Sequence, residues 1–297
     1  MKLLLQPDDG ISPLLEAINQ ARAQVEIAIF RCDRFELEEA LANAVKRGVF
    51  VHALIASMNH GGERKLRKLE TRLLASGVTV ARTSDDLARY HGKFMIIDRR
   101  ELHLYAFNFT HLDIDHSRSF GLITSNSRLV QEAVDLFEAD VKRQPYSAKL
   151  ETFVVSPVNA RKELTGLVES ARKELLIYDP EISDALMIRL LKEKGDDGVD
   201  VKILGRFRTR SEVVKQHRLP HLRLHARCII RDGHEAFLGS QSLREVELAA
   251  RREVGLIFRD PAIVGRLMKT FREDWDLAES FRETGIREPA PAEVSVT

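Results

Sequence analysis

The sequence predicts an α/β protein made of two copies of one unit, and three observations predict it. Short apolar strands alternate with amphipathic helices along most of the chain. The order of these elements in the first half returns in the second. A short histidine motif stands at the equivalent place in each copy. Such alternation argues for βαβ units around a mainly buried sheet, and a repeat of about half the chain argues for duplication.

The elements follow in order. Leu14 to Ala21 is helical in pattern and runs into an apolar strand from Val25 to Phe30. A helix from Phe35 to about Lys46 ends at Arg47-Gly48, and the strand Val49 to Ala56 follows. In the second copy Leu164 to Ala171 is helical, Leu175 to Tyr178 is a strand, Ser183 to Glu193 is a helix and Val199 to Leu204 is a strand. Each copy then reaches its motif, two short strands and a closing helix, Ser127 to Lys142 in one and Pro261 to Ala278 in the other. The linker near Gln144-Pro145-Tyr146-Ser147 divides the chain into an N-terminal half over residues 1–146 and a C-terminal half over 147–282, with a flexible tail over 283–297.

Composition narrows the class. The 297 residues are 44% apolar, enough for a sizeable core, and 31% charged with a net charge of only +1. No basic tail marks a nucleic-acid binder, so nucleic acid is the less favoured partner and anion affinity must come from local clusters. The two cysteines, Cys32 and Cys228, form no CxxC pair and suggest reduced thiols rather than a zinc site or disulfide. The apolar run near Leu3 is too short for a signal peptide, and no stretch approaches the ~18 apolar residues of a membrane span. The expectation is a cytoplasmic protein, with peripheral membrane contact left open.

The first motif is His91-Gly92-Lys93-Phe94-Met95-Ile96-Ile97-Asp98 and the second is His225-Ala226-Arg227-Cys228-Ile229-Ile230-Arg231-Asp232. Each reads His-x-basic-x4-Asp. On a strand alternate side chains share a face, so each histidine and its cation are expected to point the same way. A histidine beside a fixed cation suits a phosphate: the imidazole supplies nucleophile or acid, and the cation offsets charge developing on the phosphoryl oxygens. One such motif arises easily by chance; two at equivalent places in a repeat do not.

The pattern resembles the HKD motif of the phospholipase D superfamily, His-x-Lys-x4-Asp followed by a Gly-Ser-x-Asn turn and an acidic residue. The resemblance extends to about residue 280 and implies two phospholipase D-like α/β halves packed around a shared active-site cleft. It implies catalysis by His91, Lys93, His225, Arg227 and Glu253, with Asn108, Ser240 and Ser242 at the substrate phosphate and Asp98 and Asp232 supporting the motif strands. It implies a phosphohistidine intermediate and neither metal nor cofactor.

The sequence departs from that pattern. Arg227 stands where lysine is usual. The first turn, Tyr105-Ala106-Phe107-Asn108, keeps only the asparagine, and the second, Gly239-Ser240-Gln241-Ser242, keeps only Gly-Ser. At the acidic position the second half has Glu253 and the first has Ser119. By the resemblance Glu253 anchors His225, which makes His225 the expected nucleophile and His91 the acid, while His91 lacks a carboxylate unless Asp113 or Asp115 reaches it. Two basic clusters, Arg64, Lys65, Arg67 and Lys68 after the second strand and Arg206, Arg208 and Arg210 after its counterpart, are expected to draw in an anion. The remaining histidines, including His60, His103, His111, His116, His217 and His234, are expected at the surface.

The expected function is a phosphodiesterase or phosphatidyltransferase acting on phospholipid-like phosphodiesters. The alternatives are a nuclease of the same fold and a catalytically degenerate phosphate-binding protein. The sequence gives no oligomeric state.

Overall fold

A computed structural model describes residues 1–57, 63–84 and 87–283. His60 and the tail beyond Glu283 lie outside the described residues. The first half runs β1 (Lys2–Gln6), α1 (Ser12–Gln20), β2 (Gln24–Ile29), α2 (Phe35–Lys46), β3 (Phe50–Ile55), α3 (Glu63–Ala75), β4 (Thr79–Arg82), β5 (Arg89–Tyr90), β6 (Phe94–Ile97), β7 (Glu101–Tyr105), α4 (His111–Asp115), β8 (Ser117–Thr124) and α5 (Ser127–Lys142). The second runs β9 (Phe153–Val155), α6 (Ala160–Glu169), β10 (Glu174–Ile182), α7 (Ala185–Asp196), β11 (Asp200–Phe207), β12 (Val214–His217), β13 (Arg223–Leu224), β14 (Cys228–Arg231), β15 (Glu235–Gly239), α8 (Glu245–Ala249), β16 (Arg251–Arg252), β17 (Val254–Phe258) and α9 (Pro261–Glu283).

The two main sheets share one strand order. The first is β1-β8-β7-β6-β2-β3-β4, and the second, taken from the matching edge, is β9-β17-β15-β14-β10-β11-β12. In each, three parallel strands carry the helices and the strands after the motif pair antiparallel. Parallel strands are covered on both faces, so their sequences run continuously apolar: Val25, Ile27, Ala28 and Ile29 are all buried. The fold is therefore α/β, built from one half repeated.

The halves also exchange strands. β13 of the second half pairs with the start of β8 in the first, Arg223 opposite Ser117. Reciprocally, β5 of the first half pairs with β16 of the second, Arg89 opposite Arg251. One large core takes in residues of both halves, from Leu3 to Ala278, and Asp274 of α9 binds Arg118 of β8 at 2.9 Å and Tyr178 of β10 at 2.7 Å.

A second repeated device fixes each motif strand. Asp98 and Asp232 follow β6 and β14 in the left-handed region, with φ of 52° and 51°. The Asp98 carboxylate accepts the backbone N–H groups of Arg22, Ala23 and Gln24, and Asp232 accepts those of Arg172, Lys173 and Glu174. Each thus closes the start of the central strand onto the end of the motif strand. Losing such a carboxylate strands three donors, so Asp98→Ala and Asp232→Ala should each lower stability by about 2 kcal/mol in urea denaturation. A change below about 0.5 kcal/mol would show that water replaces the carboxylate without penalty.

Candidate active site

The motif histidines and cations do not sit within the motif strands but just ahead of them. His91 to Lys93 lies between β5 and β6, and His225 to Arg227 between β13 and β14. The reason is the strand exchange: the His91 N–H donates to the carbonyl of Arg252, and the His225 N–H to that of Arg118, each in the opposite half. The strand pattern resumes at the cations, whose carbonyls accept the N–H groups of Tyr105 and Gly239.

This crossing decides which carboxylate meets which histidine. Glu253, next to Arg252, lies against His91, and its Oε2 is 2.8 Å from His91 Nδ1. Ser119, next to Arg118, lies against His225 and donates its hydroxyl to the His225 carbonyl at 3.3 Å. Glu253 therefore does not anchor His225, as expected from their membership of one half; it anchors His91. Nor does Asp113 reach His91. Its Oδ2 is 3.4 Å from His225 Nδ1. Asp115 instead binds Arg34 at 2.6 Å, outside the site.

The groups expected at substrate phosphate are engaged otherwise. Asn108 donates both its backbone N–H, at 2.8 Å, and its side-chain amide, at 2.6 Å, to Asp113 Oδ2. The Ser240 hydroxyl accepts from the Val254 N–H at 3.1 Å and faces its carbonyl at 3.4 Å. The Ser242 hydroxyl accepts from Arg227 Nε at 3.3 Å. All three touch neighbouring site groups, Asn108 on Asp113, Ser240 on Val254 and Ser242 on Arg227. The glycine kept in the second turn has its own reason: a Cβ on Gly239 would meet Gln241 Oε1 at 2.5 Å and Gly255 Cα at 2.6 Å. In the first half Tyr105 occupies that position and its ring packs on Gly121.

His91, Lys93, His225, Arg227, Asp113 and Glu253 are all buried, none more than 7% exposed. Burial, then Lys93 and Arg227, holds His91 well below its usual range. Burial and Arg227 do the same to His225, against the pull of Asp113. Burial pushes Glu253 up. It also opposes ionisation of Asp113, but His225 when protonated at low pH, with Arg223 and the Asn108 N–H, outweighs it and holds Asp113 at about 2. In the free protein both imidazoles are thus neutral, and His91 Nδ1–H donates to the Glu253 carboxylate, leaving Nε2 with its lone pair free. Each imidazole feels Lys93 and Arg227 alike, so the motifs of both halves share one electrostatic site.

Several neighbours escaped the sequence reading. Arg89 and Arg223 each stand two residues before a motif histidine, a repeated signal that was legible. Phe30, at the end of β2, meets the His91 ring edge-on at 4.6 Å. Within the expected basic clusters, Arg67 is tied to Glu70, and Arg206 and Arg208 lean on Glu181. His103 is buried against Glu101 rather than exposed.

With this geometry in hand, comparison with known proteins is decisive. The family described as cardiolipin synthase, PLD-like domain, matches residues 14–141 and 164–275, one segment in each half. The chain belongs to this phospholipase D-like family. A mitochondrial cardiolipin hydrolase of Danio rerio is 28% identical over 154 residues, spanning 48% of this chain and 62% of that protein. A polyphosphate kinase of Pseudomonas putida is 21% identical over 69% of this chain and 31% of its own length. The chain thus spans less than two thirds of these curated relatives. In fold, it is similar to a polyphosphate kinase from Porphyromonas gingivalis, with a TM-score of 0.75 at 19% identity over 91% of this chain and 49% of that one. It is also similar to a phosphatidylserine synthase of Haemophilus influenzae, with a TM-score of 0.65 at 11% identity over 93% and 86%.

Lys93 gives this site a pH signature. Burial brings its ammonium down from 10.5 to about 7. The unfolded chain then binds the extra proton between those values, so the penalty of burying this charge is full below pH 7 and is relieved as pH rises. An anion in the site needs the charged form. Sulfate keeps its charge across this range, and its affinity should fall above pH 7. Asp179, pushed up by burial to about 7 and close to Arg227, titrates in the same window. Lys93→Arg, whose cation does not titrate there, should therefore flatten the calorimetric log-affinity slope by about one unit per pH unit. An unchanged slope would remove Lys93 from the anion site.

Proposed function

We propose that the protein transfers phosphoryl groups from phospholipid-like phosphodiesters through a phosphohistidine, as a phosphodiesterase or phosphatidyltransferase. The observation that carries this reading is the crossed pair: two histidine–cation units at one interface, each imidazole faced by a carboxylate near the same site. Membership of the phospholipase D-like family supports the reaction class, and the relatives named for cardiolipin hydrolysis and phosphatidylserine synthesis support the substrate class.

The geometry favours His91 as nucleophile. Its Nδ1 is held at 2.8 Å by Glu253, which fixes the tautomer, aims Nε2 outward and stabilises the positive charge that grows as nitrogen bonds to phosphorus. Lys93 and Arg227 face the non-bridging oxygens. The bond from phosphorus to the leaving oxygen breaks as His225 delivers a proton to that oxygen. His225 is neutral in the free site, but a bound phosphodiester offsets the Arg227 charge that disfavours its protonation, and Asp113 stabilises the cation. Water or an alcohol then attacks the phosphohistidine, passes its proton to His225 and restores His91. Hydrolysis and transfer differ only in that acceptor.

The reading is tested with a nitrophenyl phosphodiester, whose leaving group needs little protonation. His225→Ala should still form a phosphoenzyme detectable by mass spectrometry, while His91→Ala should form none. Glu253→Gln should slow adduct formation by about tenfold or more. A trapped adduct on His225 in the His91→Ala protein would reverse the roles, and no adduct with any diester in the unaltered protein would remove the function.

A further inference from the structure

The repeat is symmetric in its backbone but not in what lines each motif. Counted from the strand starts that Asp98 and Asp232 clamp, Phe30 at the end of β2 is equivalent to Pro180 in β10. The two halves stay in register beyond that point: the Asp33 N–H donates to the Phe109 carbonyl, and the Ser183 N–H to that of Leu243. Phe30 is buried, and its ring meets the His91 imidazole edge-on, with centroids 4.6 Å apart and planes at 74°. Pro180 offers no aromatic face at the equivalent place.

The same ring has cations around it. Lys93 Nζ lies 5.6 Å from its centre, and the guanidinium carbons of Arg31 and Arg89 lie at 5.3 and 5.5 Å. A cation within about 6 Å of a ring centre is attracted by the ring quadrupole, most strongly where water is excluded. Lys93 and Phe30 are both buried. Burial works against the ammonium, and the ring favours it. The imidazole gains a different constraint. Its bond to Glu253 fixes Nδ1 but leaves the ring able to tilt about that bond. A phenyl ring packed edge-to-face against it limits the tilt. Tilting would swing Nε2 off the line on which it must meet phosphorus.

We propose that Phe30 is a positioning residue of the active site, which fixes the plane of the His91 imidazole and gives the Lys93 ammonium an aromatic partner. It acts through these two groups. Its effect on His91 as nucleophile rests on the phosphodiester reading above, whereas its effect on anion binding through Lys93 does not.

The test replaces Phe30 in the full chain by phenylalanines carrying one, two or three ring fluorines, which keep the shape of the ring and progressively cancel its quadrupole. Lys93 is also faced by Glu253, Arg227, Asp113 and Glu247, and the fluorinated rings leave all four in place. At pH 5 Lys93 is charged with or without sulfate, so the ring acts equally on both states and calorimetric affinity should stay constant along the series. At pH 8 sulfate must recharge Lys93, and the trifluorinated ring should weaken binding about tenfold, the size of a desolvated cation–aromatic contact. In Lys93→Arg, whose cation is permanent, the series should be flat at both pH values. Phe30→Leu should split or broaden the His91 ring signals in NMR and slow adduct formation from the nitrophenyl diester about tenfold, while Phe30→Tyr should keep both near the unaltered protein. Equal sulfate affinity along the series at pH 8, with His91 signals unchanged in Phe30→Leu, overturns the assignment while leaving the phosphodiester reading standing. The expected fluorine dependence in a protein that forms no adduct does the reverse.

Discussion

The hydrogen bond between His91 and Glu253 joins the two halves of the chain, and the site depends on it. Neither group is tolerable alone at its depth. A fully buried carboxylate without a donor carries a large desolvation penalty, and an imidazole without a fixed partner has no defined tautomer. The halves must dock, with β5 on β16 and β13 on β8, before either is satisfied. Folding of the interface and assembly of the site are then one event. The device is asymmetric. His91 has its carboxylate in register, whereas His225 has Ser119 in that place and takes Asp113 from α4 at a longer reach.

The electrostatics follow from the same packing. Burial, reinforced by the neighbouring cations, keeps both imidazoles neutral and brings Lys93 close to neutrality. A phosphate anion bound beside the two cations would favour the charged form of Lys93. The site is a pre-organised anion hole rather than one built by substrate: the donors are locked by backbone carbonyls, with Lys93 on the carbonyl of His91 and Arg227 on that of His225.

Much of this was legible in the sequence. The strand and helix order is written in apolar periodicity, and α2 and α5 begin and end where the pattern places them, because Arg47-Gly48 and Arg143 interrupt the apolar stripe. The duplication, the paired motifs and the acidic Glu253 were also visible. What was not visible is the partner of each carboxylate. Sequence proximity suggests that Glu253 serves the histidine of its own half, and nothing in a linear pattern reveals that β16 crosses to β5. The same crossing moves the motif residues ahead of their strands. The partners of Asn108, Ser240 and Ser242 were hidden for a related reason: a linear pattern does not show that they contact Asp113, Val254 and Arg227.

The crossed pairing is tested most directly by long-range proton–nitrogen NMR of the histidine rings in the unaltered protein and in Glu253→Gln. The account requires His91 to be neutral near pH 7 with its proton on Nδ1, and Glu253→Gln to perturb the His91 ring nitrogens while leaving those of His225 nearly unchanged. A spectrum in which Glu253→Gln shifts His225 and spares His91 would contradict it.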